Sequence, residues 1–430
     1  MGFFSPVVKI TKGTVKTLKI TANVASTPSA NETFAIGLQS GCTVTSKDSN
    51  GEDATETYTY SDGQTMTIQT AGGMTLTRSD ELEDSFVAGS TSGLVIGKFK
   101  AKALYEDAKI EQVYVDFASY NSGGTDELTS LYLYDGAAQI AVATITSSNA
   151  AALLFNMESA PYTIPVNTEK ELTLKADTGL VDESGASTSA NPLEGFTPTI
   201  NSASMTVKGA SGQTVTPTSA TLTFPSYAAV KSKPTVTVAA TGDSVTGNSN
   251  YDLIDVTVAA DSKGPVGLYK MTFSVATTTV KTSSFQVYEG TTLVATENTT
   301  AATGILKSFL HDGSGGELLE VYFNNGGALG GRMREIAAGS SKTYTLKATV
   351  TNYTSNVSNG ISTSVTGDDA LAATTYTLNA AAVDAVDDDD FIWSDLSYGN
   401  TSTTATTTVE WMNGYLVGGL LTTTSSAKSI

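Results

Sequence analysis

Three observations predict an all-β chain of tandem Ig-like β-sandwich domains, with an extended N-terminal arm and a short β C-terminal region. Short apolar runs alternate at period two between turn pairs such as Asp135-Gly136, Glu289-Gly290 and Asn413-Gly414. Threonine runs such as Thr277-Thr278-Thr279 and Thr406-Thr407-Thr408 suit a pleated sheet, because a β-branched side chain is stiff in a helix. One hairpin unit occurs twice, and no window keeps a 3.6-residue period over several turns.

The hairpin is the centre of the pattern. Leu131 and Leu133, then Ile140, Val142 and Ile145, flank Asp135-Gly136, whose glycine supplies the positive φ of a tight turn. The unit returns over Phe285–Thr296, with Tyr134-Asp135-Gly136 matching Tyr288-Glu289-Gly290 at an offset of 154. Val113–Phe117 aligns with Tyr269–Phe273 at 156, and Phe99–Ala103 with Val256–Ala260 at 157. The stretch from Ile164 matches that from Ile336 at 172, so copy two holds an insertion, which the Gly-rich His311–Arg332 region would supply. A repeat this long is a whole domain, too long for a solenoid unit.

The expected division is an arm over 1–30, an N-terminal β region over 31–85, sandwich repeats over 86–228 and 235–380, and an acidic, Trp-containing β segment over 381–430. Lys231-Ser232-Lys233-Pro234 reads as the hinge, since proline and its predecessor favour extended backbone. The arm carries Lys9, Lys12, Lys16 and Lys19 before the first acid, Glu32. Its strand-like pairs are Val8/Ile10 and Leu18/Ile20.

The chain has 430 residues, 43 Asp and Glu against 24 Lys and Arg, and a net charge of −19. Nucleic acid is not an expected partner, because phosphate neutralisation needs clustered cations. A single cysteine, Cys42, gives no disulfide framework, and no apolar run reaches transmembrane length. The first residues lack the basic n-region and apolar core of a signal peptide, so an exported protein would have lost its leader before this numbering or taken an unusual route.

No enzyme is expected. The one histidine, His311, has no G-x-S-x-G turn to serve and reads as a loop residue. No cofactor is required. Calcium is the metal the sequence allows, because its hard oxygen ligands come from carboxylates in turns. Asp48, Asn50 and Glu52 have the alternating oxygen spacing of a calcium loop, and Asp387 and Asp389 are same-face positions in an acidic run. Surface glycans are allowed by sequons at Asn31, Asn298, Asn352, Asn356 and Asn400.

The tail segment FIWSDLSYGNTSTTATTTVEWMNGYLVGGL, the KSKPTVTV linker and the LYDG and TLKA blocks resemble large surface or S-layer-like repeat proteins of candidate-phyla-radiation (Patescibacteria-type) bacteria. The resemblance implies an exported, repeat-built envelope protein without catalytic activity.

The function expected is that of an extracellular cell-surface structural protein, a homo-polymer built head to tail into a layer or filament. Val8, Lys9, Ile10, Lys12, Lys16, Leu18 and Ile20 would act as a strand donated to the next subunit, or equally as the first strand of the chain's own N-terminal domain. The alternatives are a viral tail or decoration protein and an adhesin that stacks glycans on Trp393, Trp411 or Tyr415.

Overall fold

The computed structural model describes residues 8–23, 29, 31–37, 44–57, 59–68, 72–120, 127–145, 152–181, 189–190, 195–218, 221–241, 244–297, 304–309, 317–323, 333–368, 390–397 and 411–420. They fall into two compact units, residues 1–72 and 73–430. The first unit holds the arm and a short strand pair. Its strands β1 (Thr33–Phe34) and β2 (Met66–Thr67) pair antiparallel, Thr33 with Thr67 and Phe34 with Met66. Ahead of them the arm bends once, at Lys12-Gly13, where Gly13 has φ 78° and the Thr14 amide and hydroxyl both donate to the Thr11 carbonyl, at 3.0 and 2.6 Å.

The second unit opens with a lobe of fifteen strands. These are β3 (Gly73–Arg78), β4 (Ser85–Ala88), β5 (Leu94–Leu104), β6 (Ala108–Tyr120), β7 (Leu128–Asp135), β8 (Ala138–Thr144), β9 (Ala152–Asn156), β10 (Tyr162–Ile164), β11 (Glu169–Thr178), β12 (Leu180–Val181), β13 (Ser189–Ala190), β14 (Gly195–Ile200), β15 (Thr206–Gly209), β16 (Leu222–Thr223) and β17 (Tyr227–Val230). One sheet runs β3-β5-β11-β7-β8; the other runs β10-β6-β14-β17-β4, with β9, β15 and β16 attached. Strand alternation builds the core between them. β5 turns Phe99, Ala101 and Ala103 inward and leaves Lys98, Lys100 and Lys102 on the other face. Leu172 and Leu174 of β11 join them, and Ile110, Val113 and Val115 of β6 come from the opposite sheet.

The second lobe contains β18 (Pro234–Ala239), β19 (Ser249–Ala260), β20 (Val266–Thr278), β21 (Lys281–Glu289), β22 (Thr292–Thr296), β23 (Gly304–Phe309), β24 (Glu317–Tyr322), β25 (Arg334–Ile336), β26 (Ser341–Thr351), β27 (Gly360–Val365) and β28 (Phe391–Ser394). Its order begins β18-β19-β26-β21-β22, strand for strand that of β3-β5-β11-β7-β8. The registers agree too. Leu172 faces Phe99 and Asp135 in lobe one; Tyr344 faces Val256 and Glu289 in lobe two. β6 carries β9, β10, β14 and β15, and β20 carries β24, β25, β27 and β28. The fold is thus two tandem Ig-like β-sandwiches of one topology.

Four sequence expectations shift. Ala108 pairs with Ile164 and Val266 with Ile336, which sets the β6-to-β20 offset at 158 instead of 156. The insertion in copy two is split. Val113 faces Phe155 while Met271 faces Val321, so the offset has risen to 166 before it reaches 172. The first part of the gain contains β23, a strand with no counterpart among the described residues of lobe one, placed between β22 and β24. Residues 73–78, read as part of the N-terminal region, pair with β5. In the C-terminal segment, Phe391–Ser394 pairs with β20, because Phe391 and Trp393 need that sandwich's core to be buried.

The segment read as a hinge is a fixed joint. The Lys231 amide donates to Asp395 Oδ2 at 2.8 Å, and Lys231 Nζ donates to the Leu396 carbonyl. Ser232 Oγ reaches the Gly264 carbonyl at 2.6 Å, and Lys233 Nζ the Phe86 carbonyl at 2.9 Å. Phe86 of lobe one meets Trp393 of lobe two edge-on, with ring centroids 5.3 Å apart. Asp395 is fully buried, and desolvation pushes its carboxyl above the usual range against the hydrogen bonds from Ser397 and Lys231.

Candidate assembly surfaces

The arm is the most exposed apolar stretch of the described chain. Ile10, Val15, Leu18 and Ile20 are 58, 95, 52 and 71% exposed, and Val8 is half-buried. Lys9, Lys12 and Lys16 are exposed, and Lys16 Nζ reaches back to the Lys9 carbonyl at 3.4 Å. Among the described residues 8–23 form no strand ladder. The pairs Val8/Ile10 and Leu18/Ile20 keep the spacing of strand residues on one face, without a ladder among the described residues.

The sheet edges are the complementary feature. An open edge presents unpaired amides and carbonyls, and proteins cover such edges. β3 is flanked by a parallel bridge from Met74 to Pro217, with the Thr218 amide donating to the Met74 carbonyl at 2.8 Å. β18 is flanked the same way by Gly418, whose carbonyl accepts from Val236 at 2.8 Å. β22 is flanked by β23. β8 differs: among the described residues, Ala138–Ala143 ladder with β7 alone. The strand AQIAVAT carries no charge, and Val142 on it is 51% exposed. Sequence reading missed this edge; the signal was the shorter β8–β9 connection, against a β22–β24 connection that holds β23.

The hairpin tips close each sandwich in the same way. Asp135 accepts from Tyr162 Oη at 2.7 Å and from Lys170 Nζ at 3.1 Å. Glu289, its equivalent, is paired with Arg334 and Lys342, which stand 172 residues after Tyr162 and Lys170. Hydrogen bonds from Tyr162 and Lys170 hold the Asp135 carboxyl below its usual range. Burial alone would raise Glu289, but the bonds from Arg334 and Lys342 outweigh it and hold that carboxyl low.

Other sequence candidates are committed elsewhere. Asp48 Oδ1 accepts from the Asn50 and Glu52 amides at 2.8 and 3.0 Å, so the carboxylate closes its own turn. A cation already sits there: Lys47 Nζ contacts the Gly51 carbonyl and Asp53. Among the described residues no three His, Cys, Asp or Glu side chains gather as a metal site. Asp387, Asp389, His311, Cys42, Asn298 and Asn400 lie outside the described residues. Asn31, Asn352 and Asn356 take left-handed turns, with φ of 66, 62 and 66°, and Asn352 Nδ2 donates to the Thr279 carbonyl. Trp393 and Trp411 are 0 and 3% exposed, so both are core residues and neither is a platform for the adhesin alternative. Tyr415 is half-buried. Lys270 and Glu320 form a buried pair at 2.7 Å, with Tyr322 Oη donating to Glu320 at 2.8 Å. Among the described residues no helix is long and apolar enough to cross a membrane.

The class defined so far is a tandem-sandwich protein whose chain begins with an exposed apolar arm. No family profile and no curated protein matches the chain. Among solved structures it is similar to the C-terminal domain of the AgI/II polypeptide BspA of Streptococcus agalactiae, at 9% identity and TM-score 0.19, covering 68% of this chain and 95% of that one. It is also similar to the T6 backbone pilin of Streptococcus pyogenes, at 10% identity and TM-score 0.18, covering 80% and 61%. A third is the major pilin SpaA of Corynebacterium diphtheriae, at 8% identity and TM-score 0.17, covering 68% and 62%. At these values no common ancestry or role follows.

Proposed function

We propose that the chain is a non-enzymatic structural protein of a cell surface, which assembles with copies of itself head to tail through its N-terminal arm. The observation that carries this is the arm: an apolar stretch, more than half exposed at Ile10, Val15, Leu18 and Ile20, with no ladder among the described residues. Burying such residues releases on the order of 25 cal/mol per Å², and a sheet edge is the surface that fits their backbone. Two further features suit the role. The joint between the sandwiches is filled by Phe86, Trp393 and Asp395, so the pair transmits force as one body. The charge is also polarised. Four lysines and no acid precede Glu32, while nine acids and no Lys or Arg occur from Ala348 to Ala427. Unlike ends attract, and a head-to-tail contact that does not close makes a filament or sheet. An extracellular location and kinship with candidate-phyla-radiation surface proteins belong to the same proposal.

The test is removal of residues 1–20, followed by electron microscopy and sedimentation at matched concentration. The full chain is expected to form lattices or filaments, and the truncated chain to stay folded and monomeric. Assembly by the truncated chain at the full chain's concentration would refute the arm's role.

A further inference from the structure

The arm carries a charge opposite to that of the rest of the chain. Residues 1–31 hold four lysines and no acid, while the remainder holds 20 cations (24 minus 4) against 43 acids, a charge of −23. Lys9, Lys12, Lys16 and Lys19 are all exposed, and so are Ile10, Val15, Leu18 and Ile20, at 58, 95, 52 and 71%. The bend gathers both kinds of side chain. Gly13 at φ 78° lets the Thr14 amide close on the Thr11 carbonyl at 3.0 Å, which brings Lys9 toward Lys16 and Ile10 toward Val15. The Lys16 ammonium accordingly meets the Lys9 carbonyl at 3.4 Å. Three lysines thus occupy or flank one turn, with apolar side chains beside them and no carboxylate in the arm to neutralise them.

We infer that this arm binds the surface of an anionic lipid bilayer when no second copy has taken it up. The inference goes beyond head-to-tail assembly. A linear polymer built through its arms leaves the arm of one end copy without a receiver, and that arm moors the polymer to a membrane. The surface matches the arm on two counts. Its headgroup phosphates hold fixed negative charge within reach of flexible ammonium groups, whose stems lie along the boundary while their ends stay wet. Val15, nearly bare in water, gains with Ile10, Leu18 and Ile20 by entering the edge of the acyl layer. Free phosphate would meet the lysines but leave those four side chains in water. Entry stops at the headgroup boundary, because backbone without a ladder cannot pass into hydrocarbon.

The rest of the chain restricts the contact to the arm. At −23 it is repelled by the same anionic surface that attracts the four lysines. Attraction and repulsion both fade beyond about 10 Å at 0.1 M salt, so only groups within that reach of the headgroups count. The arm meets this condition without cost to the fold, since among the described residues it belongs to no ladder and its lysines and apolar side chains already face water.

The test is co-sedimentation of the full chain with phosphatidylcholine vesicles that contain phosphatidylglycerol, at a concentration where the chain alone stays monomeric. Vesicles of phosphatidylcholine alone are the reference. The chain is expected to bind the anionic vesicles, to leave the neutral ones in solution, and to be released by salt. Each lysine near the surface is worth roughly a fivefold change in affinity, so Lys12→Gln with Lys16→Gln should weaken binding roughly 25-fold. Val15→Ser with Ile20→Ser keeps every charge and should weaken binding as well. All four positions are exposed, so the melting temperature should not move. Absence of binding, or equal binding to both vesicle types, would overturn the proposal. Wild-type binding by the lysine variant would place the contact outside the arm, and wild-type binding by the serine variant would overturn apolar entry; each refutes it. Stronger release by inorganic phosphate than by chloride at matched ionic strength would show a free-anion site in place of a bilayer contact. A chain that polymerises but ignores vesicles would overturn the mooring and leave assembly standing; one that binds vesicles but never polymerises would support the mooring and overturn assembly alone.

Discussion

Asp135 and Glu289 show how single residues hold the hairpin tips to the rest of each sandwich. Both carboxyls lie below their ordinary values of 3.8 and 4.5 in the folded chain, so their stabilisation is present above those values and fades as pH falls through the lowered ones. The contribution is modest, about 0.2–1 kcal/mol for each partly exposed ion pair. Melting should therefore hold from pH 7 to 5 and decline in stronger acid, and the Asp135→Asn, Glu289→Gln double variant should lose less over that acid range. An identical acid decline in both would show that other carboxylates set it. The Lys270–Glu320 pair is a larger stake, with both side chains at most 2% exposed. Lys270→Ala leaves Glu320 buried without its ammonium, which should cost about 3–5 kcal/mol in denaturant unfolding. A loss below about 1 kcal/mol would mean that water or another cation takes the place of Lys270.

At the level of elements, the hairpins were legible because glycine at positive φ is a local demand. Gly136 and Gly290 have φ of 58 and 60°, at the turns the repeat had marked. Gly290→Val should destabilise by about 1–2 kcal/mol, since a β-branched residue is strained there. β5, β11 and β26 were also legible, because their outer faces meet water and alternation survives. β20 was not. Val266 to Phe273 are all buried, as β20 is covered on a second side by Ile392 and Trp411, so period two disappears there. The C-terminal strand was read as a separate segment for a related reason: its partner β20 is more than a hundred residues away, and pairing at that distance leaves no local mark. The joint was misread as a hinge because Pro234 announces extended backbone, while Asp395 and Trp393, which lock it, are distant in sequence. Trp393→Ala removes the ring against Phe86 and should cost about 3–5 kcal/mol. Limited proteolysis should then cut between residues 231 and 234. Continued resistance at that linker would show that the hydrogen bonds of Lys231 and Lys233 suffice.

For the whole molecule, the duplication was visible in four ordered blocks, and the strand order and registers of both lobes repeat at those offsets to within two residues. The functional surface was only half visible. The arm could be read from its lysines and period-two pairs, because its role depends on local composition. Which sheet edges carry a ladder could not be read, because that is set by pairing between strands distant in sequence. The most direct measurement is competition by the arm itself. A peptide of residues 8–23, added to the full chain before assembly, should cap growing ends and shorten polymers in proportion to its concentration, while a peptide with Leu18 and Ile20 replaced by Asp should do nothing. Polymers of unchanged length at saturating arm peptide would contradict assembly through the arm.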